Sequence, residues 1–579
     1  MAKDASSPWS SLVDSHFAES ALPHAPRERQ LQHMDSELAD IQQALLRARR
    51  LRNRKSAICA LPAEILAMIF ECLEPDWPPL REQSQMRNPC FFAGWMCVTH
   101  VCSLWRDVAL GTPSLWSKPL INMAMIHPRY IPDFLSRTRG ATLNLGLGWE
   151  DESALLIEDR SIDAWLSPSI LRRAKRLDIV CDLDLVAYVA GRLPPPQDME
   201  DLRVLEMSLE YPDEAETELP VPFQRLTGIT RLCLDEWSVP WRSSILSPEL
   251  TDLHLANVAG SRVSYEDMLG LLASLHRLQV LEIDNIAPRL EPIAEHRSMI
   301  TLSSSLRSLD VAYTNGELAA DGLAFISLLR APPKCILNFQ VHGMDRQPTS
   351  MALIDDAMGR IIPALSLAKC DNIELQHLEV TNQSLRFVST SRSGVLPESH
   401  SEKITTTIRM NTFTKADPPI HFHLAQYTSH LTVHRLGSIS LDVTSVRTIN
   451  KDNIWPHLMR SKDVRAVGLI KTNAIYGYFV EILDVLSKRH YAASTGDTGL
   501  LFPCLKVLAL PFGSKQAQHE DLVDAVINVV DFRRAQGAPL DELIISREAG
   551  AWLIWSTLRK VIKVTLVDYP VYESPISHE

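Results

Sequence analysis

Leu61-Pro-Ala-Glu-Ile-Leu-Ala-Met-Ile-Phe-Glu-Cys-Leu73 is the stretch on which the fold turns. Pro62 suits a first helical position, because it lacks only an N–H that would be unpaired there. Ile65, Leu66, Ile69, Phe70 and Leu73 recur at helical spacing and make one apolar stripe. A helix burying one face is therefore expected. The polar segment Glu74–Pro89 reads as a long loop. Beyond it Val98-Thr-His-Val-Cys-Ser-Leu-Trp-Arg-Asp-Val-Ala109 gives a second helical pattern, followed by Thr112-Pro-Ser-Leu-Trp116.

Three short motifs stand in order here: Leu61-Pro-x-Glu-Ile-Leu66, Val101-Cys-x-x-Trp-Arg106 and Pro113-x-Leu-Trp116. Together they resemble an F-box, of the fungal type that carries a longer first loop. The resemblance covers residues 58–118, roughly a tenth of the chain. It implies a helical domain that docks a Skp-family adaptor and, through it, a cullin. It further implies that Leu61, Pro62, Ile65, Leu66 and Ile69 meet the adaptor, with Val101 and Trp105 supporting them.

The rest of the chain constrains what else is present. At 579 residues it exceeds one core and suggests three or four domains or an extended repeat array. Apolar content of 46% and charged content of 22% are those of a globular protein. No long apolar run and no apolar leader stands in the sequence, so neither a membrane span nor a secretory signal is expected. The ten cysteines lack metal or disulfide spacing and read as reduced, buried thiols of a cytoplasmic or nuclear protein. A formal charge of −12 disfavours nucleic-acid binding.

Residues 1–26 are rich in Ser, Ala and Pro and read as a disordered tail. In 27–57, Leu31, Met34, Leu38, Ile41, Leu45 and Ala48 recur in steps of three and four. This fits either a short self-associating coiled coil or one amphipathic helix packed on the F-box. Arg47, Arg49, Arg50, Arg52, Arg54 and Lys55 close the segment. That run fits a solvated helix end, where cations are favoured, or a nuclear localisation signal.

Between residues 140 and 546 the pattern apolar-x-x-apolar-x-apolar returns. It begins at Ala174, Leu202, Ile229, Leu250, Leu278 and Leu306, and again at Leu375, Leu436, Val464, Leu505 and Leu540. The first block has the period of leucine-rich repeats, each a short strand plus a returning segment. Tyr265–Leu275 is one such return, with Met268, Leu271, Leu272 and Leu275 on one helical face. The expected fold class is thus α/β: an N-terminal helical F-box followed by a leucine-rich-repeat-like solenoid with irregular insertions. Ser384–Ala416 and the acidic Glu210–Glu218 read as surface loops, and residues 547–579 as a C-terminal segment with a frayed end.

No phosphate-binding loop and no nucleophile elbow stands in the sequence, and Gly146-Leu-Gly148 lacks a third glycine. His421, His423, His430 and His434 lack the companions a zinc site needs. Neither a catalytic group nor a cofactor is expected. Taken with the resemblance, this points to a non-catalytic substrate adaptor of a Skp–cullin–F-box ubiquitin ligase, acting in protein degradation. A repeat scaffold without ligase function is the alternative. Strand alternation turns Asp178, Glu206, Cys233, His254, Glu282 and Asp310, then Glu379, away from the core. Two positions on stand Val180, Ser208, Asp235, Ala256, Asp284 and Ala312. This acidic surface, with Asp178, Glu206, His254, Glu282 and Asp310 as contacts, is expected to read a protein substrate that presents a basic segment.

Overall fold

The chain opens on helices. Pro8–Phe17 (α1) is followed by Arg27–Asn53 (α2), Ala63–Asp76 (α3), Ser103–Gly111 (α4), Ser114–Ser117 (α5) and Ile131–Arg137 (α6). Short strands lie among them: Leu80–Glu82 (β1), Cys90–Phe92 (β2), Leu120–Asn122 (β3) and Leu143–Leu147 (β4). The computed structural model describes residues 8–17, 26–82, 90–148, 153–158, 160, 162–210, 217–257, 263–288, 299–314, 316–332, 335–342, 348–366, 375–381, 384–390, 405–411, 424–431, 436–470, 477–492, 497–511, 513 and 520–568. They form a mixed α/β protein with a helical N-terminal region. It divides into two compact units, Met1–Asp178 with Arg192–Pro194, and Ile179–Gly191 with Pro195–Glu579.

In the first unit the structure departs from three expectations. Pro8–Phe17 is helical within a stretch read as disordered. The loop expected at Glu74–Pro89 begins inside α3, which runs on to Asp76, and then forms β1. β1 pairs antiparallel with β2, Leu80 opposite Phe92 and Glu82 opposite Cys90. The second helical pattern is broken in two. Gly94–His100 winds as a 3-10 segment, and α4 starts only after Cys102. Extended at φ −157°, Cys102 caps α4, its Sγ accepting from the Trp105 N–H at 3.5 Å, so it is a cap and not a core thiol. Among the described cysteines only Cys181 and Cys335 are buried.

Strand Ala174–Cys181 (β5) crosses the division between the units. The second unit then carries Val204–Leu209 (β6), Arg231–Asp235 (β7), Asp252–Ala256 (β8), Val280–Asp284 (β9), Ile300–Thr301 (β10), Ser308–Tyr313 (β11), Leu329–Arg330 (β12) and Ile336–His342 (β13). β6, β7, β8, β9, β11 and β13 pair in that order, all parallel. Parallel neighbours need a crossover. Helix Tyr265–Ser274 is one, capped by Ser264, whose Oγ accepts from the Asp267 N–H at 3.1 Å. It buries Met268, Leu271 and Leu272, as its spacing predicts. The period also shows in the backbone just after β7, β8 and β9. Glu236, Asn257 and Asn285 take φ of 65°, 49° and 55°. Each donates its N–H to a backbone carbonyl at or next to the end of the next strand, that of Ala256, Asp284 and Ala312 respectively. Asparagine tolerates this left-handed turn better than most residues. Asn257 and Asn285 are also joined side chain to side chain.

Further on lie Leu375–Val380 (β14), Ser384–Thr390 (β15), Thr405–Asn411 (β16), Leu436–Leu441 (β17), Ala466–Leu469 (β18), Arg489–Ala492 (β19), Asp497–Leu500 (β20), Val507–Leu510 (β21), Glu542–Ser546 (β22) and Lys563–Val567 (β23). The surface loop read at Ser384–Ala416 is overturned over β15 and β16. β13 pairs parallel with β16, β16 antiparallel with β15, β15 antiparallel with β14, and β14 parallel with β17. Alternation is the reason: Leu385, Phe387 and Ile408 are buried, with Ser384, Arg386, Thr407 and Arg409 at the alternate positions beside them. β17, β18, β21, β22 and β23 continue in parallel. The last pairing carries the sheet past residue 546. Most of Glu210–Glu218, all of Ser391–Lys403, and His421, His423 and His434 lie outside the described residues. No described helix is long and apolar enough to cross a membrane.

Candidate functional site

α3 has two apolar faces with different fates. Pro62 sits at its N-cap, at φ −55° and ψ 150°, one position before the place its ring predicted, and its carbonyl accepts from the Leu66 N–H at 3.1 Å. Leu66 and Phe70 point inward and are fully buried. Ile65, Met68 and Ile69 point outward and stay 41%, 59% and 40% exposed. One apolar stripe suffices to seat a helix, so the second stripe is surplus to the fold of this unit.

The inward face meets the segment from Gly94 to Trp116. The Phe70 and Trp105 rings lie 5.1 Å apart, tilted by 58°. Trp116, fully buried, donates from Nε1 to the Ala109 carbonyl at 2.7 Å and stacks obliquely on Trp95 at 4.9 Å. The Arg137 guanidinium lies 4.5 Å over the Trp116 ring, and burial pushes its pKa down. Arg106 donates from Nε to the Thr99 carbonyl at 2.7 Å and so ties the 3-10 segment to α4.

The residues named from sequence therefore separate. Pro62, Ile65, Ile69 and Val101 are exposed, Val101 by 60%, while Leu61 and Trp105 are half-buried. Leu66 is a correction: with no exposed surface it belongs to the core and cannot touch a partner. Met68 was missed. It lies three residues from Ile65 and follows from helical spacing alone.

In the second unit the outward-facing residues stand side by side. Glu206 opposes Cys233, Cys233 opposes His254, His254 opposes Glu282, Glu282 opposes Asp310, and Asp310 opposes Asn338. The row two positions on runs Ser208, Asp235, Ala256, Asp284, Ala312 and Gln340 in the same registers. Glu379 does not adjoin Asn338, because Thr407 and Arg386 of the antiparallel strands stand between them.

The acidity of this face is reduced by arginines that the sequence reading left out. Arg231 Nε lies 3.1 Å from Glu206, and Arg386 lies 3.7 Å from Glu379. Asp178, which belongs to the first unit, is held by Arg176 at 2.8 Å. Arg176 and Arg231 sit two positions before Asp178 and Cys233, on the same side of their strands. That third outward row was legible from the same alternation.

His254 is flanked by Glu282 at 3.1 Å and Asp284 at 3.4 Å. Its pKa rises to about 10, chiefly through Asp284, then Cys233 and Glu282. Protonated, it ties β8 to two carboxylates of the neighbouring strand β9. Because the folded pKa lies above the ordinary 6.5, this stabilisation is complete below about pH 6.5 and disappears as pH rises through about 10. Replacing His254 with Gln should lower the denaturant midpoint at pH 7, and the deficit should vanish above about pH 10.5. A deficit independent of pH would contradict the charge state. His430 stacks on Tyr427 at 6.2 Å, the packing role of an aromatic neighbour. Among the described residues no group of three or more side chains could hold a metal ion.

A family model described as F-box-like matches residues 58–122. A search of curated proteins finds no match to the chain. The matched segment spans the cap at Pro62, both faces of α3, the 3-10 turn with α4, and the buried Trp116. Residues 58–122 therefore form an F-box-like domain.

Proposed function

We propose that the chain is a non-enzymatic substrate adaptor of a Skp–cullin–F-box ubiquitin ligase. In this reading the outer face of α3 docks a Skp-family adaptor, which brings a cullin, and ubiquitin transfer is carried out by other subunits. The observation that carries the reading is the surplus apolar stripe Ile65, Met68 and Ile69, exposed on a helix whose other face is already buried. Contiguous exposed apolar surface marks interaction sites. Pro62 at the helix start and Val101 beside α4 extend it, and Leu61 and Trp105 back it. Leu61→Ala with Pro62→Ala should abolish co-purification of the adaptor and leave the chain folded. Retention at wild-type levels would favour a repeat scaffold with no ligase.

The second half of the proposal is that residues 140–546 act as a leucine-rich-repeat-like array whose outward rows bind the substrate. Parallel in-register strands and the repeated left-handed turn support it. Such arrays present one face of their strands as a binding surface. Arg231 offsets Glu206 and protonated His254 offsets part of the charge of Glu282 and Asp284, so the net acidic part lies around Glu282, Asp284 and Asp310, which suits a substrate with a short basic segment. Changing Glu282 and Asp310 to Lys should release partners captured at low salt, while adaptor binding persists. Capture unaffected by both charge and salt would remove this face as the reader. A cytoplasmic or nuclear site of action follows from the same reading.

A further inference from the structure

α2 buries no residue, so its seam does not pack on the F-box-like domain, the simpler of the two readings its sequence allowed. The sheltered space of the first unit lies elsewhere, in a cavity of about 580 Å³. One side comes from β2, the 3-10 segment and α4 of the F-box-like domain. The other comes from residues 125–137, beyond the matched segment, and ends in α6. Cavities of this size hold small molecules, on an apolar lining with a few placed polar groups. Here Ile126 and Phe134 are buried, and Met96 and Met125 are half-buried thioethers that adapt to an irregular shape. Three rings make an aromatic side. Phe91 meets His127 edge-on at 4.8 Å, and His127 meets Tyr130 at 5.7 Å. His127 Nδ1 accepts from the Arg129 N–H at 3.1 Å, which leaves Nε2 to carry the ring proton as a donor.

The charge of the lining says what enters. Arg137 lies 4.5 Å over the Trp116 ring. Among the described residues it makes neither a hydrogen bond nor an ion pair, and Asp133, four residues earlier, acts on it only through space. A half-buried cation with no counter-ion is costly unless another group supplies the charge. Arg106 spends Nε on the Thr99 carbonyl and keeps its other N–H groups free among the described residues. Two arginines and one aspartate leave the lining a charge of +1, counting His100 and His127 as neutral, in a chain of −12. We propose that this cavity binds a small monoanion with a flat aromatic body, its carboxylate on Arg137 and its body against Phe91, His127 and Tyr130. A guanidinium takes a carboxylate through two parallel N–H donors. A second negative charge on the ligand meets Asp133. The bound molecule fastens the F-box-like domain to the chain that follows it. None of the residues assigned to adaptor docking lines the cavity, so the two proposals stand or fall separately.

Titration calorimetry of the full chain with 2-naphthoate tests the site. The acid binds one site with Kd below about 1 mM. Neutral 2-naphthamide and dianionic 2-naphthyl phosphate bind at least about tenfold more weakly, and octanoate, which has the charge without the rings, is weaker as well. Arg137→Met, whose thioether still covers Trp116, loses about tenfold or more for the acid and little for the amide. Asp133→Asn, a change at an exposed residue, tightens the acid severalfold because a repelling charge is gone. The ligand series and Asp133→Asn decide the matter even where Arg137→Met melts early. No binding of 2-naphthoate up to about 5 mM overturns the proposal. So does an amide that binds as tightly as the acid, or an acid whose affinity both variants leave unchanged, since the anion then lies elsewhere. Phosphate held as tightly as carboxylate overturns the single charge, and octanoate held as tightly as 2-naphthoate overturns the aromatic body.

Discussion

Replacing Ile65 and Ile69 with Lys should cost the chain its adaptor and nothing else. Both side chains stand on the outer face of α3, about 40% exposed, and neither contributes to the buried core of the unit. Their removal leaves the inner stripe of Leu66 and Phe70 in place, so thermal unfolding should stay within about 1 °C of wild type. Docking of an apolar helix face concentrates its energy in a few anchors. Two buried ammonium groups at that interface should therefore weaken binding by at least about two decades. Leu66→Ala behaves in the opposite way. It opens a cavity in a fully packed position and should destabilise the domain by about 2–5 kcal/mol, with adaptor binding lost only through unfolding. Binding measured by titration calorimetry and stability measured by thermal melts separate the two. If Ile65→Lys with Ile69→Lys bound normally, or if it melted like Leu66→Ala, the assignment of the two faces would be wrong.

Gly94→Ala should be the most damaging single methyl group in this domain. Gly94 has φ +52°, and a Cβ there would meet the Pro78 carbonyl oxygen at 2.3 Å and the Trp77 carbonyl oxygen at 2.6 Å. Both are backbone atoms and cannot swing aside. The approach exists because the Trp95 N–H donates to the Trp77 carbonyl at 2.7 Å, which fastens the start of the 3-10 segment to the end of α3. Strain at a left-handed residue plus a forced backbone shift should cost about 2–4 kcal/mol. Trp95 and Trp116 pack on each other beside this turn, so the near-ultraviolet dichroism of buried tryptophan should fall with the melting temperature. A variant that melts like wild type would show that the chain takes another path from α3 to α4.

Much of the site could be read from residue spacing, and the reasons for the exceptions are physical. Leu61 to Leu73 carries its helix in the recurrence of Ile65, Leu66, Ile69, Phe70 and Leu73, but the pattern alone does not say which half of a wide stripe is buried. Only packing against Trp105 separates Leu66 and Phe70 from Ile65 and Ile69. The 3-10 segment Gly94–His100 was hidden because Val98 to Ala109 keeps helical spacing across Cys102, and the break depends on a backbone tie from a distant residue. In the second unit each apolar-x-x-apolar-x-apolar motif falls on a strand, since period-two alternation is local. β15 and β16 escaped because serine, arginine and threonine take most of their outward positions, and among the residues of described burial Leu385, Phe387 and Ile408 mark the inward ones. The rows of Glu206, His254, Glu282 and Asp310 emerged in register because one alternation rule serves every strand. Their charge balance was only partly legible: alternation places Arg231 on the outward side, but its pairing with Glu206 depends on the neighbouring strand, and Arg386 faces Glu379 across an antiparallel pair that the spaced motifs do not mark.

Direct association with a purified Skp-family adaptor tests the central claim most plainly. The full chain, co-expressed with the adaptor and passed over a sizing column at about 0.3 M salt, should elute with it as one equimolar complex, because an apolar docking face is little screened. Hydrogen exchange on that complex should slow along Ile65–Ile69 and leave the strands from Val204 to Tyr313 unchanged. Separate elution of two folded proteins, or protection confined to those strands, would contradict the account.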